Sequence, residues 1–140
     1  MWWTGHFVLT IVASVLLLAF TNYYFVFLFF IAGMAVDIDH YILYAIMNKN
    51  LNIFDSYELI KKFNKKELVD INKGKYPLIF HNIEFLAIIS IVSFYFPFFL
   101  PIALGSFFHF AIDLITLKPY SFRNIFSLVY YFTKRYKELF

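Results

Sequence analysis

Three ionisable residues, Asp37, Asp39 and His40, stand inside an apolar run that extends from Phe25 to Met47. A run of this length spans a bilayer, since about 20 residues at ~1.5 Å rise cross a ~30 Å hydrocarbon core. Ionisable groups at such depth are costly, and nothing in apolar packing calls for them. Whatever fold the chain adopts has to find partners for this triplet.

The rest of the sequence is consistent with a bilayer as its medium. Hydrophobic residues make up 62% of the chain and aromatic residues 24%, with a mean hydropathy of +0.71, well outside the range of a soluble globule. The expected fold class is an all-α integral membrane protein with four transmembrane helices, at about 3–20, 24–47, 77–96 and 98–117, in a single membrane domain covering 1–140. Thr21 to Tyr24 reads as a short polar connection, and Pro97 to Pro101 as a break between the last two spans. The N-terminal run lacks a basic leader and a small-residue cleavage site, so it reads as a retained helix.

Charge then orients the chain. The net charge is +3, and all 12 Lys and Arg residues lie either in the 48–76 segment or after Leu117. Segregation of this kind reads as topology, not nucleic-acid binding, and places the loop and both termini in the cytoplasm, with the protein multi-pass in the cell (inner) membrane. Within the loop, Asp55 to Glu58 and Asn64 to Glu67 have capping-box-like spacing, so it is either one or two short helices or a solvated linker. The tail 121–140 carries Phe122, Ile125, Phe126, Val129 and Phe132 at helical spacing ahead of Lys134, Arg135 and Lys137. That pattern suits an amphipathic helix on an anionic membrane face.

The ionisable residues within the spans are His6, Asp37, Asp39, His40, His81, Glu84, His109 and Asp113. Given alternating spans, all fall within roughly 15 Å of the cytoplasmic interface. Asp37 and His40 are i,i+3, His81 and Glu84 are i,i+3, and His109 and Asp113 are i,i+4, so each pair projects from one helix face. Each such group near a span centre costs ~2.5–3.5 kcal/mol when unpartnered, a cost that a divalent cation offsets by neutralising carboxylates and using neutral imidazoles. The expectation is a convergent metal site with His6, Asp37, His40, His81, His109 and Asp113 as candidate ligands. Asp113 either ligates or orients His109, and Asp39 and Glu84 remain as general base or bridging group. The chain has no cysteine, so ligands are N and O only, which suits Zn²⁺ or Mn²⁺. A metal-ion or proton transporter, a carboxylate-bridged di-iron bundle and a purely structural polar network are the competing readings of the same residues. Against transport, the outer halves of the spans carry no ionisable residue to continue a path.

Thr4-Gly5-His6, Asp37-Ile38-Asp39-His40, Phe80-His81-Asn82 and Gly105, His109 and Asp113 at four-residue steps together resemble the YdjM-like inner-membrane metal-dependent hydrolases of bacteria and archaea. The resemblance covers roughly residues 4–117. This chain differs at Val36, where that family usually has proline, and in having one histidine in the third motif. The resemblance implies a metal-dependent hydrolase, and a site near the interface suits a membrane lipid or lipid-linked phosphoester as substrate. Lys73 and Lys75 either attract its phosphate or serve as topology charges. If the topology is right, alkaline phosphatase fused after Asn22 is active, whereas the same fusion after Phe140 is inactive and a fluorescent protein there is bright.

Overall fold

A computed structural model describes residues 3–55, 57–58, 79–116, 128–129 and 132–133. The described residues are helical, without strands: α1 (Trp3–Leu17), α2 (Tyr23–Ala35), α3 (Ile38–Asn48), α4 (Ile83–Tyr95), a 3₁₀ turn (Pro97–Phe99) and α5 (Leu100–Thr116). Two helical stretches, Tyr23–Ile42 and Pro97–Ile115, are long and apolar enough to cross a membrane, while Gly5–Leu17 and Ile83–Tyr95 are apolar but shorter. The chain forms two compact units, residues 1–36 with 83–117 and residues 37–82 with 118–140.

In the first unit, local chemistry sets the helix ends. The last turn of α1 tightens through Ala19 N–H to the Leu16 carbonyl and Phe20 N–H to the Leu17 carbonyl, and the Thr21 hydroxyl donates to the Leu17 carbonyl at 3.0 Å. Asn22 then caps α2, its side-chain oxygen accepting the Phe25 N–H at 2.9 Å, which satisfies one of the orphan donors at a helix start. At the far end of α4, Pro97 opens a 3₁₀ turn and Pro101 sits in the first turn of α5, where its missing N–H costs nothing. The proline-bounded break thus falls where the sequence places it.

α2 packs against α1 and α5, and α5 also against α4. Two glycines set the closest approach. A Cβ on Gly105 would run into the Phe29 carbonyl and lie 3.1 Å from both Ala32 Cβ and the Gly33 nitrogen. One on Gly33 would meet Thr10 Cγ2 at 3.0 Å and the Gly105 carbonyl at 3.4 Å. Small residues of this kind let helix backbones come together where apolar burial alone gives little drive. The unit buries polar groups within its apolar core and leaves large apolar ones outside: His6, Thr10, Ser14, Ser106, His109 and Asp113 are buried beside Val26, Phe29 and Leu86, whereas Leu16, Phe94 and Ile115 are 64%, 81% and 85% exposed.

The second unit contains α3, which starts immediately after an interruption of helical hydrogen bonding at Val36–Asp37. The sequence shows one apolar run here; the structure divides it because Asp37 takes the N-cap position of a new helix without using its side chain as a cap. α3 ends at Lys49, which adopts a left-handed conformation with φ of 50°, a common helix stop. Tyr41 donates its hydroxyl to the Leu51 carbonyl at 2.7 Å, tying the chain beyond the stop back to the helix. Residues 53–55 and 57–58 are helical, and ahead of them Asn52 accepts the Phe54 N–H at 2.9 Å. The possible helix at Asn64–Glu67, Lys73 and Lys75, and most of the 121–140 tail lie outside the described residues. Overpacking costs ~1–3 kcal/mol, so Gly105→Ala is expected to lower the unfolding midpoint clearly. Gly33→Ala, which meets a side-chain methyl first, is expected to lower it less, as thermal denaturation in detergent will show.

Candidate metal centre

The eight ionisable residues divide between the two units. His6, Glu84, His109 and Asp113 belong to the first, and Asp37, Asp39, His40 and His81 to the second.

In the first unit, α1 supplies His6 and α5 supplies His109 and Asp113. Their i,i+4 spacing puts the last two on one face of α5, with His109 Nε2 3.5 Å from Asp113 Oδ2. The other carboxylate oxygen lies 3.0 Å from His6 Nε2. The two imidazoles stack at 4.4 Å with 24° between their planes. His109 Nδ1 sits 2.6 Å from the Gly33 carbonyl. A carbonyl only accepts, so Nδ1 carries a hydrogen and Nε2 is the nitrogen turned to Asp113. Asp113 therefore faces His109 and also pairs with His6, a partner the sequence did not assign to it.

In the second unit, Asp37, His40 and His81 each offer a ligand atom within 4.8 Å of the others. Asp37 Oδ1 is 3.9 Å from His40 Nε2 and 3.6 Å from His81 Nε2, and the two rings are 4.7 Å apart. An N-cap aspartate ordinarily turns its carboxylate onto its own helix; here that carboxylate faces imidazoles instead. Asp39 is buried and accepts the Phe80 N–H at 2.5 Å, and the same oxygen lies 3.3 Å from His81 Nδ1. It thus orients the His81 ring with Nε2 directed to Asp37, the way a carboxylate orients a metal-binding histidine.

The sequence puts His81 and Glu84 on one helix face, but only Glu84 is helical. His81 lies in the bend 79–82 that precedes α4, while Glu84 occupies the first turn of α4, half-buried. The bend is held by Asn82, fully buried, whose side-chain amide donates to the Ile79 carbonyl. Glu84 is in none of the candidate metal-holding groups among the described residues. In the sequence Asn82 stands out only as part of a motif, and Thr10 and Ser14, both buried, show only as steps of four from His6.

No protein-family model matches the chain, and no curated protein or solved structure matches it. The buried His and Asp clusters could hold a metal ion. Removing one partner of a buried polar pair costs about 1–3 kcal/mol. Asp39→Ala and His81→Ala should each destabilise by that order, and their double-mutant cycle in denaturant unfolding should show coupling of about 1 kcal/mol, against none for Asp39→Ala with Asp55→Ala.

Proposed function

We propose that this chain is a four-span inner-membrane protein with a cytoplasmic loop and both termini in the cytoplasm. In this reading it acts as a metal-dependent hydrolase on a lipid or lipid-linked phosphoester at the cytoplasmic leaflet. The YdjM-like resemblance names the reaction class; the large apolar side chains outside the first unit favour an apolar surrounding, where exposed Leu16, Phe94 and Ile115 cost nothing.

One observation carries the metal. In each unit an imidazole sets Nδ1 against a fixed acceptor and turns Nε2 toward a carboxylate oxygen, His81 to Asp37 at 3.6 Å and His109 to Asp113 at 3.5 Å. With the rings neutral, each site would set two acceptors face to face, which suits a shared cation. Asp37, His40 and His81 would hold it in the second unit; in the first, Asp113 faces both His6 and His109. With nitrogen and oxygen donors alone, Zn²⁺ or Mn²⁺ fits. When bound, such an ion supplies Lewis acidity and lowers the pKa of water.

The chain's own groups prepare that chemistry. Asp39 holds the His81 ring through Nδ1 and is committed further to the Phe80 N–H. The Gly33 carbonyl does the same for His109. Of the two carboxylates named for proton transfer, Glu84 is the one we assign as general base. Metal analysis of detergent-purified protein tests the reading. Near-stoichiometric zinc or manganese is expected in wild type, reduced in Asp37→Ala and in His109→Ala and retained in Glu84→Gln, which should lose hydrolysis of a phospholipid panel by at least ~100-fold. Wild type that carries no metal and cannot be loaded with one sinks the proposal.

A further inference from the structure

Beyond α3 the chain turns back on itself and holds three large apolar side chains outward: Leu51, Ile53 and Phe54 are 77%, 66% and 81% exposed. The polar side chains among them are used inside the loop instead. Asn50 donates its amide to Asp55 Oδ2 at 2.8 Å and accepts the Asn52 N–H at 2.8 Å, and Asn52 in turn accepts the Phe54 N–H at 2.9 Å. Scattered single apolar residues on a surface need no explanation, but three within four positions of an ordered loop do.

The height of the loop along the helix supplies that explanation. The helical stretch Tyr23–Ile42 is long and apolar enough to cross a membrane, so in a bilayer its end at Ile42 marks where the hydrocarbon stops. α3 runs on to Asn48 and stops at left-handed Lys49. The Tyr41 hydroxyl then donates to the Leu51 carbonyl at 2.7 Å, which brings the loop back to within one tyrosine side chain of the end of that stretch. Ile38, Ile42 and Ile46 are exposed as well, and their steps of four put them in a row on α3. Helix and loop thus both present apolar groups at the level where a bilayer would end.

A loop that enters the boundary between acyl chains and headgroups has to satisfy its backbone internally while its large apolar groups point outward. Asn50 and Asn52 do the first, for the N–H groups of Asn52 and Phe54. Because the loop is already ordered by these bonds, little conformational freedom remains to be lost on insertion. A protein groove could also take the three side chains, but it would not require them to lie level with the end of a spanning stretch.

We infer that Leu51, Ile53 and Phe54 form an apolar knuckle that inserts into the acyl–headgroup boundary of the bilayer beside α3. Its partner is the lipid surface, and it anchors residues 50–55 where a solvated linker would leave them in water. The inference rests on the membrane-spanning part of the proposed function and is independent of the metal and of hydrolysis.

The chain has no cysteine, so single thiols at Leu51→Cys, Phe54→Cys and, as a marker in the middle of α4, Ile88→Cys can each carry a nitrobenzoxadiazole label. All three positions are exposed, so the substitutions remove no core packing. Each labelled protein is reconstituted in dioleoylphosphatidylcholine vesicles, with or without a phosphatidylcholine spin-labelled near the top or near the end of its acyl chain. The shallow spin label is expected to lower emission at least about twofold at both loop positions, and the deep one to do so at Ile88→Cys. Quenching at Ile88→Cys with either loop position unquenched overturns the inference and leaves the membrane reading standing; no quenching at any of the three overturns both. A label that inserts by itself is detected by adding Leu51→Asp and Ile53→Asp to labelled Phe54→Cys. Quenching is expected to fall by at least half in that variant, and quenching retained there also overturns the inference.

Discussion

The first unit depends on the contact between α2 and α5 at Gly33 and Gly105. With no side chain at either position, the two backbones approach until a Cβ on Gly105 would overlap the Phe29 carbonyl. The same approach brings the Gly33 carbonyl to 2.6 Å from His109 Nδ1. One steric fact therefore has an electronic consequence: the distance between two helices puts a hydrogen on one nitrogen of a buried imidazole and turns the other to Asp113. A side chain at either glycine would disturb packing and ring orientation together.

The second unit reaches a similar arrangement by different means. Here no glycine contact positions the imidazole; His81 is held in a bend by its neighbours, with Asn82 closing the turn and Asp39 accepting from both Phe80 N–H and the ring. Asp37 is available to His40 and His81 because it occupies a helix start without capping it. Polar satisfaction is what unites the two cases. In an apolar surrounding a buried carboxylate has no water to fall back on, so its partners must come from the chain, from bound water or from a cation.

How far this was legible in the sequence differs by feature. Helix ends set by local chemistry were readable, since Asn22, Pro97 and Pro101 act within a few residues of themselves. The division of the second apolar run was not, because Val36 is an ordinary helix-compatible residue and hydropathy is the same on both sides of Asp37. His81 was misplaced onto a helix for a related reason: apolar periodicity extends back to Pro77, while the bend at 79–82 depends on hydrogen bonds to Asp39, about forty residues away in the chain. The polar row of His6, Thr10 and Ser14 on α1 was visible as spacing, but that the Thr10 and Ser14 hydroxyls are buried without a hydrogen-bond partner among the described residues was not.

By itself the sequence determined the class of chain, helical and strongly apolar with its charges segregated, and the identity of the groups that have to be satisfied. Those follow from composition and one-dimensional spacing, which carry the cost of burying each residue type. Only the tertiary structure decided which of those groups meet. It pairs Asp113 with both His6 and His109, assigns Asp39 to His81, and leaves Thr10 and Ser14 unpaired. Such pairings depend on helix approach distances and on turns closed by distant residues, and neither quantity is written in any local stretch of the chain.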